Sequence, residues 1–170
     1  MGNLFKSIKS LLGGKNAELP DYVRAELEQV FPAVEIVSSS MRSSRRRKWR
    51  DEYNVVVNHA GVSVDIEIEV DKENANVYEL EINFVKGSSN RRIDDDRPIG
   101  VEEIPATAVQ QAKKYVALMA DNFEPRNADV GTNAGRPAYR IRGDAGEWRV
   151  KIKIIESGEI LEMQKKRRSR

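Results

Sequence analysis

The 170-residue chain contains no cysteine and only one histidine, His59. It therefore cannot form disulfides, use a thiol nucleophile or bind zinc through cysteines, and it cannot supply a multi-histidine metal cage. No apolar run approaches the ~20 residues that span a bilayer. The first residues lack the apolar core and the small-residue cleavage site of a signal peptide. We therefore expect a cytoplasmic location.

Recognisable chemical motifs are also missing. There is no P-loop, no Gly-rich dinucleotide motif and no grouping of acid, base and nucleophile. Asp94, Asp95 and Asp96 are consecutive, but no EF-hand spacing surrounds them, which favours a solvated linker over a cation site. We therefore predict no catalytic residue, no metal, no cofactor and no enzyme activity.

What the chain does contain is enough apolar residues for a core and many charges. Hydrophobic residues make up 39% of the chain, which argues against disorder. Lys and Arg total 29 and Asp and Glu total 27, so the formal net charge is +2. The length fits one domain or two small ones.

Two stretches of the chain share one pattern. Residues 18–86 and 104–164 each begin with an aliphatic residue before a proline, Pro20 or Pro105, which is typical of a helix start. Apolar residues at helical spacing follow, and an aromatic residue near a second proline ends each helix. About four segments of alternating apolar and polar residues come next, as expected for antiparallel strands with one buried face.

This pattern predicts an α+β protein made of two tandem repeats, each a helix packed on an antiparallel sheet of about four strands. We expect an N-terminal amphipathic peptide with a Gly-Gly linker at 1–17, repeat 1 at 18–86, a linker at 87–103, repeat 2 at 104–164 and a basic tail at 165–170. Whether the two sheets form one continuous sheet stays open at this point.

The order of these features resembles that of PepSY-like domains. The shared features are the aliphatic-proline pair, the short helix, the Phe-Pro end, the strand that begins with Tyr53 or Tyr139, and the glycine turn. A tandem pair resembles the architecture of the secreted β-lactamase inhibitory protein. The resemblance covers residues 18–85 and 104–164. It implies a helix-on-sheet fold and a role in binding or inhibiting other proteins.

Strand alternation separates the charges by sign. Residues 62–85 hold seven acidic and one basic residue, whereas residues 136–170 hold eleven basic and five acidic residues. The outward-facing charged residues of 62–85 are acidic, and those of 136–170 are basic. In the strand that contains Glu79 and Glu81, Tyr78 is expected to pack inward. The predicted protein-binding charges are Asp65, Glu67, Glu69, Glu79 and Glu81 together with Arg140, Arg142, Arg149, Lys151 and Lys153.

Two interpretations of these charges remain. They can be ordinary solvated faces that happen to differ in sign. Alternatively, like charges on neighbouring strands cost stability unless something compensates them. The two faces could then compensate each other head to tail between copies of the chain, or recruit separate charged partners.

A basic run precedes the acidic segment and gives an alternative function. Its candidate nucleic-acid contacts are Arg42, Arg45, Arg46, Arg47, Lys48, Trp49 and Arg50. Arginines beside an aromatic residue suit phosphate contacts and base stacking, and the basic tail could add to them. The alternative is a hairpin loop that neutralises the neighbouring acidic face.

The N-terminal segment has one apolar stripe at helical spacing. The stripe consists of Leu4, Phe5, Ile8, Leu11 and Leu12. It could lie on an anionic membrane, dock in a partner's groove, or fold back on the protein's own apolar surface.

From the resemblance, the charged faces and this stripe, we predict a non-catalytic protein–protein interaction module: an adaptor, an accessory subunit of a larger assembly, or an inhibitor-like domain. Self-association, nucleic-acid binding and peripheral membrane attachment remain as alternatives.

Overall fold

Two helices each start directly after a proline, where the sequence predicts them. The computed structural model describes residues 17–43 and 47–168. Helix α1 comprises Asp21–Val30 and helix α2 comprises Ala106–Val116. Proline suits a helix start because its fixed φ fits the first turn and its missing N–H is not needed there. Each helix buries one stripe of apolar side chains spaced three or four residues apart.

Nine strands pair into a single sheet in which all neighbours are antiparallel. Their bounds are β1 Glu35–Ser43, β2 Arg50–His59, β3 Val62–Asp71, β4 Asn76–Asn83, β5 Asp94–Ile99, β6 Glu124–Asn133, β7 Arg136–Ala145, β8 Trp148–Ile155 and β9 Ile160–Arg167. The order across the sheet is β1-β2-β3-β4-β9-β8-β7-β6-β5.

The predicted fold class is wrong, because the chain does not form two separate helix-plus-sheet repeats. Strand β4 pairs with β9, from Glu79 opposite Lys166 to Asn83 opposite Glu162, and all nine strands become one sheet. In two separate sheets, β4 and β9 would each leave a row of backbone N–H and C=O groups without partners. Pairing the two strands with each other satisfies these groups.

The segment 87–103, expected to be a linker, contributes strand β5 to the sheet. The segment begins with the 3-10 helix Ser88–Arg91, which is hydrogen-bonded to the end of β6. The side-chain amide of Asn133 donates hydrogen bonds to the backbone carbonyls of Asn90 and Arg92, at 2.8 and 2.9 Å. The connection between the two halves of the chain therefore forms the far edge of the sheet.

The prediction of a basic tail from residue 165 onwards also needs correction. Lys165, Lys166 and Arg167 are the last residues of β9. Lys165 shares the alternation of Met163, so its side chain points to the helices, and it is only 2% exposed. Its ammonium donates to the Glu26 carboxylate on α1 and to the Met119 carbonyl at 2.8 Å.

Both helices pack on the same face of the sheet, and that face holds the core. Phe84, just after β4, contacts Phe31 after α1 and Tyr115 in α2, with ring centroids 6.3 and 5.9 Å apart. The strands contribute the buried residues Val55, Val57, Val64, Ile66, Ile68, Leu80, Ile82, Ile141, Ile152, Ile154 and Met163. Neither helix covers the opposite face, which we call the open face.

Glycines have two different roles in the hairpins of this sheet. Between β2 and β3 the turn is Ala60-Gly61, with φ values of 51° and 78°, as a two-residue hairpin requires. The turn between β7 and β8 starts at Gly146, where φ is 58°. Gly143 lies inside β7, where an added Cβ would come within 2.1 Å of the Glu124 carbonyl oxygen. The close approach of the Glu124 backbone, and not a turn, therefore explains why position 143 is a glycine.

Candidate functional site

The predicted acidic and basic charges lie on one surface, the open face, and not on two sheets. Strand register aligns them in three rows that run across the sheet. The first row is Glu52, Glu69, Glu79, Lys166, Arg149 and Asp144; the second is Asn54, Glu67, Glu81, Gln164, Lys151 and Arg142; the third is Val56, Asp65, Asn83, Glu162, Lys153 and Arg140. The acidic residues Asp65, Glu67, Glu69, Glu79 and Glu81 form the acidic half, on β3 and β4. The basic residues Arg140, Arg142, Arg149, Lys151 and Lys153 form the basic half, on β7 and β8.

The basic half is largely neutralised by carboxylates of the same chain. Glu162, which is 4% exposed, accepts from the ammonium groups of Lys151 and Lys153, each at 2.9 Å. Arg91, in the turn before β5, lies 3.6 Å from the same carboxylate. Burial alone would raise the pKa of Glu162, but the hydrogen bonds from Lys153 and Lys151 outweigh it and lower the pKa.

Arginines of the basic half pair with a second buried carboxylate. Asp129 on β6 lies 2.5 Å from the Arg142 guanidinium and 3.3 Å from that of Arg140. Arg140 also binds Asp96 on β5. Arg149 is exposed and has no ion pair among the described residues. Four of the five predicted basic contacts are therefore engaged within the chain.

The acidic half is compensated only at its border. Glu69 lies 2.6 Å from Arg50, and Glu79 lies 2.6 Å from Lys166. These two carboxylates face each other across β3 and β4, so the cations on the flanking strands offset their repulsion.

At the centre of the acidic half, no cation of the described residues lies at ion-pair distance. Glu67 lies directly opposite Glu81, with Asp65 two residues along β3, and none of the three has an ion pair among the described residues. The flanking positions in their row are amides: the Gln164 side chain lies 3.4 Å from a Glu81 oxygen. Burial raises the pKa of Glu67 most, the carboxylates of Glu81 and Glu52 raise it further, and the Arg91 guanidinium offsets these effects only in part. We call Asp65, Glu67 and Glu81 the carboxylate centre.

Part of the predicted nucleic-acid segment lies at one end of the open face. Arg47 and Lys48 are exposed, Trp49 is half-buried and Arg50 is buried. The Arg50 guanidinium lies 4.2 Å from the centroid of the Trp49 ring. Arg42, in β1, is exposed opposite Glu52, and Arg45 and Arg46 lie outside the described residues.

Tyr78 also belongs to this cluster, although its alternation with Leu80 and Ile82 along β4 predicts that it faces the helices. Glu69 and Val70 are consecutive in β3, but their partners in β4 are Glu79 and Val77. Tyr78 therefore has no partner in β3 and forms a bulge. Its ring lies 3.6 Å from the Arg50 guanidinium and edge-on to Trp49. The prediction that Tyr78 packs in the core is therefore wrong, and no local sequence signal marks the bulge.

The remaining predicted site is the N-terminal stripe. Leu4, Phe5, Ile8, Leu11 and Leu12 lie outside the described residues, so their role stays a prediction. Within residues 17–43 and 47–168, no group of three or more acidic or histidine side chains could hold a metal ion. No helix in the described part of the chain is long and apolar enough to cross a membrane.

Comparisons with known proteins give no functional assignment. No family model and no curated protein matches the chain. A structure from Bacteroides eggerthii DSM 20697, described as "putative periplasmic", is 14% identical, with 88% of this chain and 90% of that chain covered and a TM-score of 0.32. A DUF2874 family protein from Bacteroides uniformis ATCC 8492 is 12% identical, with coverages of 84% and 86% and a TM-score of 0.29.

Likeness at these TM-scores carries no argument about the function of this chain. The first of these structures is described as "putative periplasmic", whereas the sequence of this chain predicts a cytoplasmic location. The cytoplasmic location and the PepSY-like resemblance both stay predictions.

Proposed function

We propose that the chain is a non-catalytic protein–protein interaction module and that its acidic half binds a basic surface of a partner. One observation carries this proposal: the side chains of the carboxylate centre lie on the open face and form no ion pair with any described residue. The proposal names the acidic half as the contact and lysine- or arginine-rich protein as the chemistry that fits it.

The electrostatics of Glu67 explain why such a partner would bind. Like charges directly opposite each other on neighbouring strands are unfavourable. Burial raises the pKa of Glu67 most, and repulsion from the Glu81 carboxylate raises it further. A lysine or arginine between Glu67 and Glu81 would remove the repulsion and form charge-assisted hydrogen bonds. A partner of opposite charge also associates faster, and its association depends on ionic strength.

The basic half is less suited to docking, which argues against head-to-tail assembly of the chain. Glu162 and Asp129 already occupy the cations that an acidic surface would need. A second copy of the chain would have to compete with these internal carboxylates. Self-association is therefore the alternative outcome of the test below.

A labelled peptide of six Lys-Gly units is a direct probe, with a Glu-Gly peptide of the same length for comparison. Fluorescence anisotropy with the full chain should show binding of the lysine peptide alone at 20 mM NaCl, weakened at 150 mM because salt screens exposed charges. The triple variant Asp65→Asn/Glu67→Gln/Glu81→Gln should bind at least ten-fold more weakly.

A matched control separates a local site from net charge. Glu28, Glu73 and Glu102 are exposed and have no ion pair among the described residues. Changing all three to Gln alters the net charge equally and should leave the affinity within two-fold of the original. Equal loss in both triple variants, or no binding at 20 mM NaCl, would contradict the proposal. Salt-sensitive dimers in light scattering, abolished by the first variant alone, would make a second copy the partner.

The predicted N-terminal stripe is a separate contact that needs its own test. A chain lacking residues 1–14 should bind the lysine peptide as the full chain does. Sedimentation of both forms with vesicles of anionic lipid then tests membrane attachment. Vesicle binding that the deletion abolishes would support the membrane alternative for this segment.

A further inference from the structure

A cleft of about 1100 Å³ opens at one end of the open face, beyond the first row of charges. It is lined by Arg47, Trp49 and Tyr78 from one part of the chain and by Lys166, Arg167 and Arg168 from another. The basic run and the basic C-terminal residues are far apart in the sequence. The pairing of β4 with β9 brings them to the same cleft.

The cleft combines cations with aromatic rings. Arg50 lies at its base between Trp49 and Tyr78, and the buried Nε of Arg50 has no hydrogen-bond partner. Lys166 lies 5.5 Å from the Tyr78 ring. Arginine and aromatic side chains side by side are what proteins use to hold a phosphate group and to stack a base.

Carboxylates are also present, so the cations at the rim are already paired. Arg167 pairs with Glu147, Arg168 lies 2.6 Å from Asp144, and Asp71 also lines the cleft. The Arg168 side chain is 43% exposed, and ion pairs as exposed as this one contribute little to stability. A phosphate group can therefore replace the carboxylate without disrupting the fold.

We propose that this cleft binds a nucleotide unit, with the phosphate contacting Arg168 and Arg47 and the base against the half-exposed Trp49. The recognised chemistry is a phosphate next to an aromatic base. A free nucleotide and a single-stranded nucleic acid both carry it. This proposal concerns a different part of the open face from the carboxylate centre and does not depend on the proposed function.

Binding of four probes by the full chain at 50 mM NaCl tests the proposal. The probes are AMP, a twelve-residue oligo(dT), a twelve-residue oligo(rU) and a heparin dodecasaccharide, which is a polyanion without bases. We expect the oligonucleotides or AMP to bind more tightly than heparin. An oligonucleotide at least ten-fold tighter than AMP would identify a nucleic-acid strand as the ligand, and equal affinity would identify the free nucleotide.

Variants locate the binding in the cleft. Arg168→Glu should weaken oligonucleotide binding at least five-fold and reduce its salt dependence by about one phosphate contact. Lys114→Glu makes the same charge change at an exposed position on α2 and should leave the affinity within two-fold. Trp49→Ala should weaken binding about five-fold or more, as expected for a lost stacking contact, and Trp49→Phe should restore most of it.

Three results would overturn the proposal. The first is no binding of AMP or either oligonucleotide at 50 mM NaCl. The second is an equal loss of affinity in Arg168→Glu and Lys114→Glu, because that loss would report net charge alone. The third is heparin binding as tight as that of the oligonucleotides with no effect of Trp49→Ala, because the base would then make no contact.

Discussion

The two halves of the open face carry opposite charges but balance them differently. In the basic half, the buried carboxylates of Glu162 and Asp129 lie among the lysines and arginines. In the acidic half, the corresponding positions beside Glu67 and Glu81 are amides, which carry no charge. The contrast teaches that the charge of a strand says little about the charge available to a partner. That depends on which residues the neighbouring strands contribute.

The largest expected effect comes from removing the compensation in the basic half. Glu162→Gln leaves Lys151, Lys153 and Arg91 without their shared carboxylate. Removing one partner of a buried ion pair typically costs 3–5 kcal/mol, and we expect about 3 kcal/mol here because the lysine ends reach solvent. Urea unfolding at pH 7 measures the loss. Glu81→Gln is the matched control in the acidic half, and an equal loss in both variants would contradict the contrast.

Asp129→Asn should have a smaller effect of the same sign. Hydrogen bonds to charged groups contribute about 1.5–3 kcal/mol. We expect the lower part of that range, because Arg140 keeps Asp96 and Arg142 is partly exposed. Asp65→Asn makes the same change in the acidic half and should leave the unfolding midpoint in urea almost unchanged. A midpoint that falls as far in Asp65→Asn as in Asp129→Asn would argue against internal compensation.

Neutralising the carboxylate centre should stabilise the fold slightly. Glu67→Gln removes the repulsion from Glu81, and a cross-strand pair of this kind contributes about 0.2–1 kcal/mol. Glu69→Gln on the same strand removes the ion pair with Arg50 and should give no gain. Thermal unfolding of the two variants side by side measures the difference, and a lower Tm for Glu67→Gln than for Glu69→Gln would disprove this expectation.

The smallest effect is a difference in titration between Glu67 and Glu162. The pKa of Glu67 should lie above the ordinary glutamate value and that of Glu162 below it. Stability from Glu162 is thus present above the unfolded pKa and lost as the pH falls through its lowered folded pKa. Ionised Glu67 lowers the free energy of unfolding. This destabilisation disappears as the pH falls from the raised pKa of the folded state to the ordinary pKa of the unfolded state. Carboxyl NMR titration measures both, and shifts in the same direction would contradict the contrast.

Much of the local structure could be predicted from periodicity. Both helix starts follow from Pro20 and Pro105, and the inward positions Ile66 and Ile68 follow from strict alternation along β3. The alternation also placed Glu67 and Lys151 outward, because each lies between two apolar residues of its strand. These inferences hold because each depends only on residues close in the sequence.

The arrangement of the site could not be predicted in the same way. Alternation assigns residues to faces but does not tell which strand lies beside which, so the merging of the two sheets through β4 and β9 was not foreseen. The bulge at Tyr78 reverses the face of one residue without any local signal. The burial of Lys165 does have a local signal, because Lys165 alternates with the buried Met163 along β9. The basic composition of residues 165–170 is also typical of a disordered tail, and this second pattern predicts exposure instead of burial.

The pairing of β4 with β9 also has a consequence for the order of folding. The other strand pairs join neighbours in the chain, whereas Glu79 and Gln164 are 85 positions apart. Contacts between distant residues require closing a long loop and therefore form late and slowly. During synthesis, the edge of β4 has no partner until the last residues of β9 have left the ribosome. We expect that exposed edge to be the point at which a nascent chain pairs wrongly.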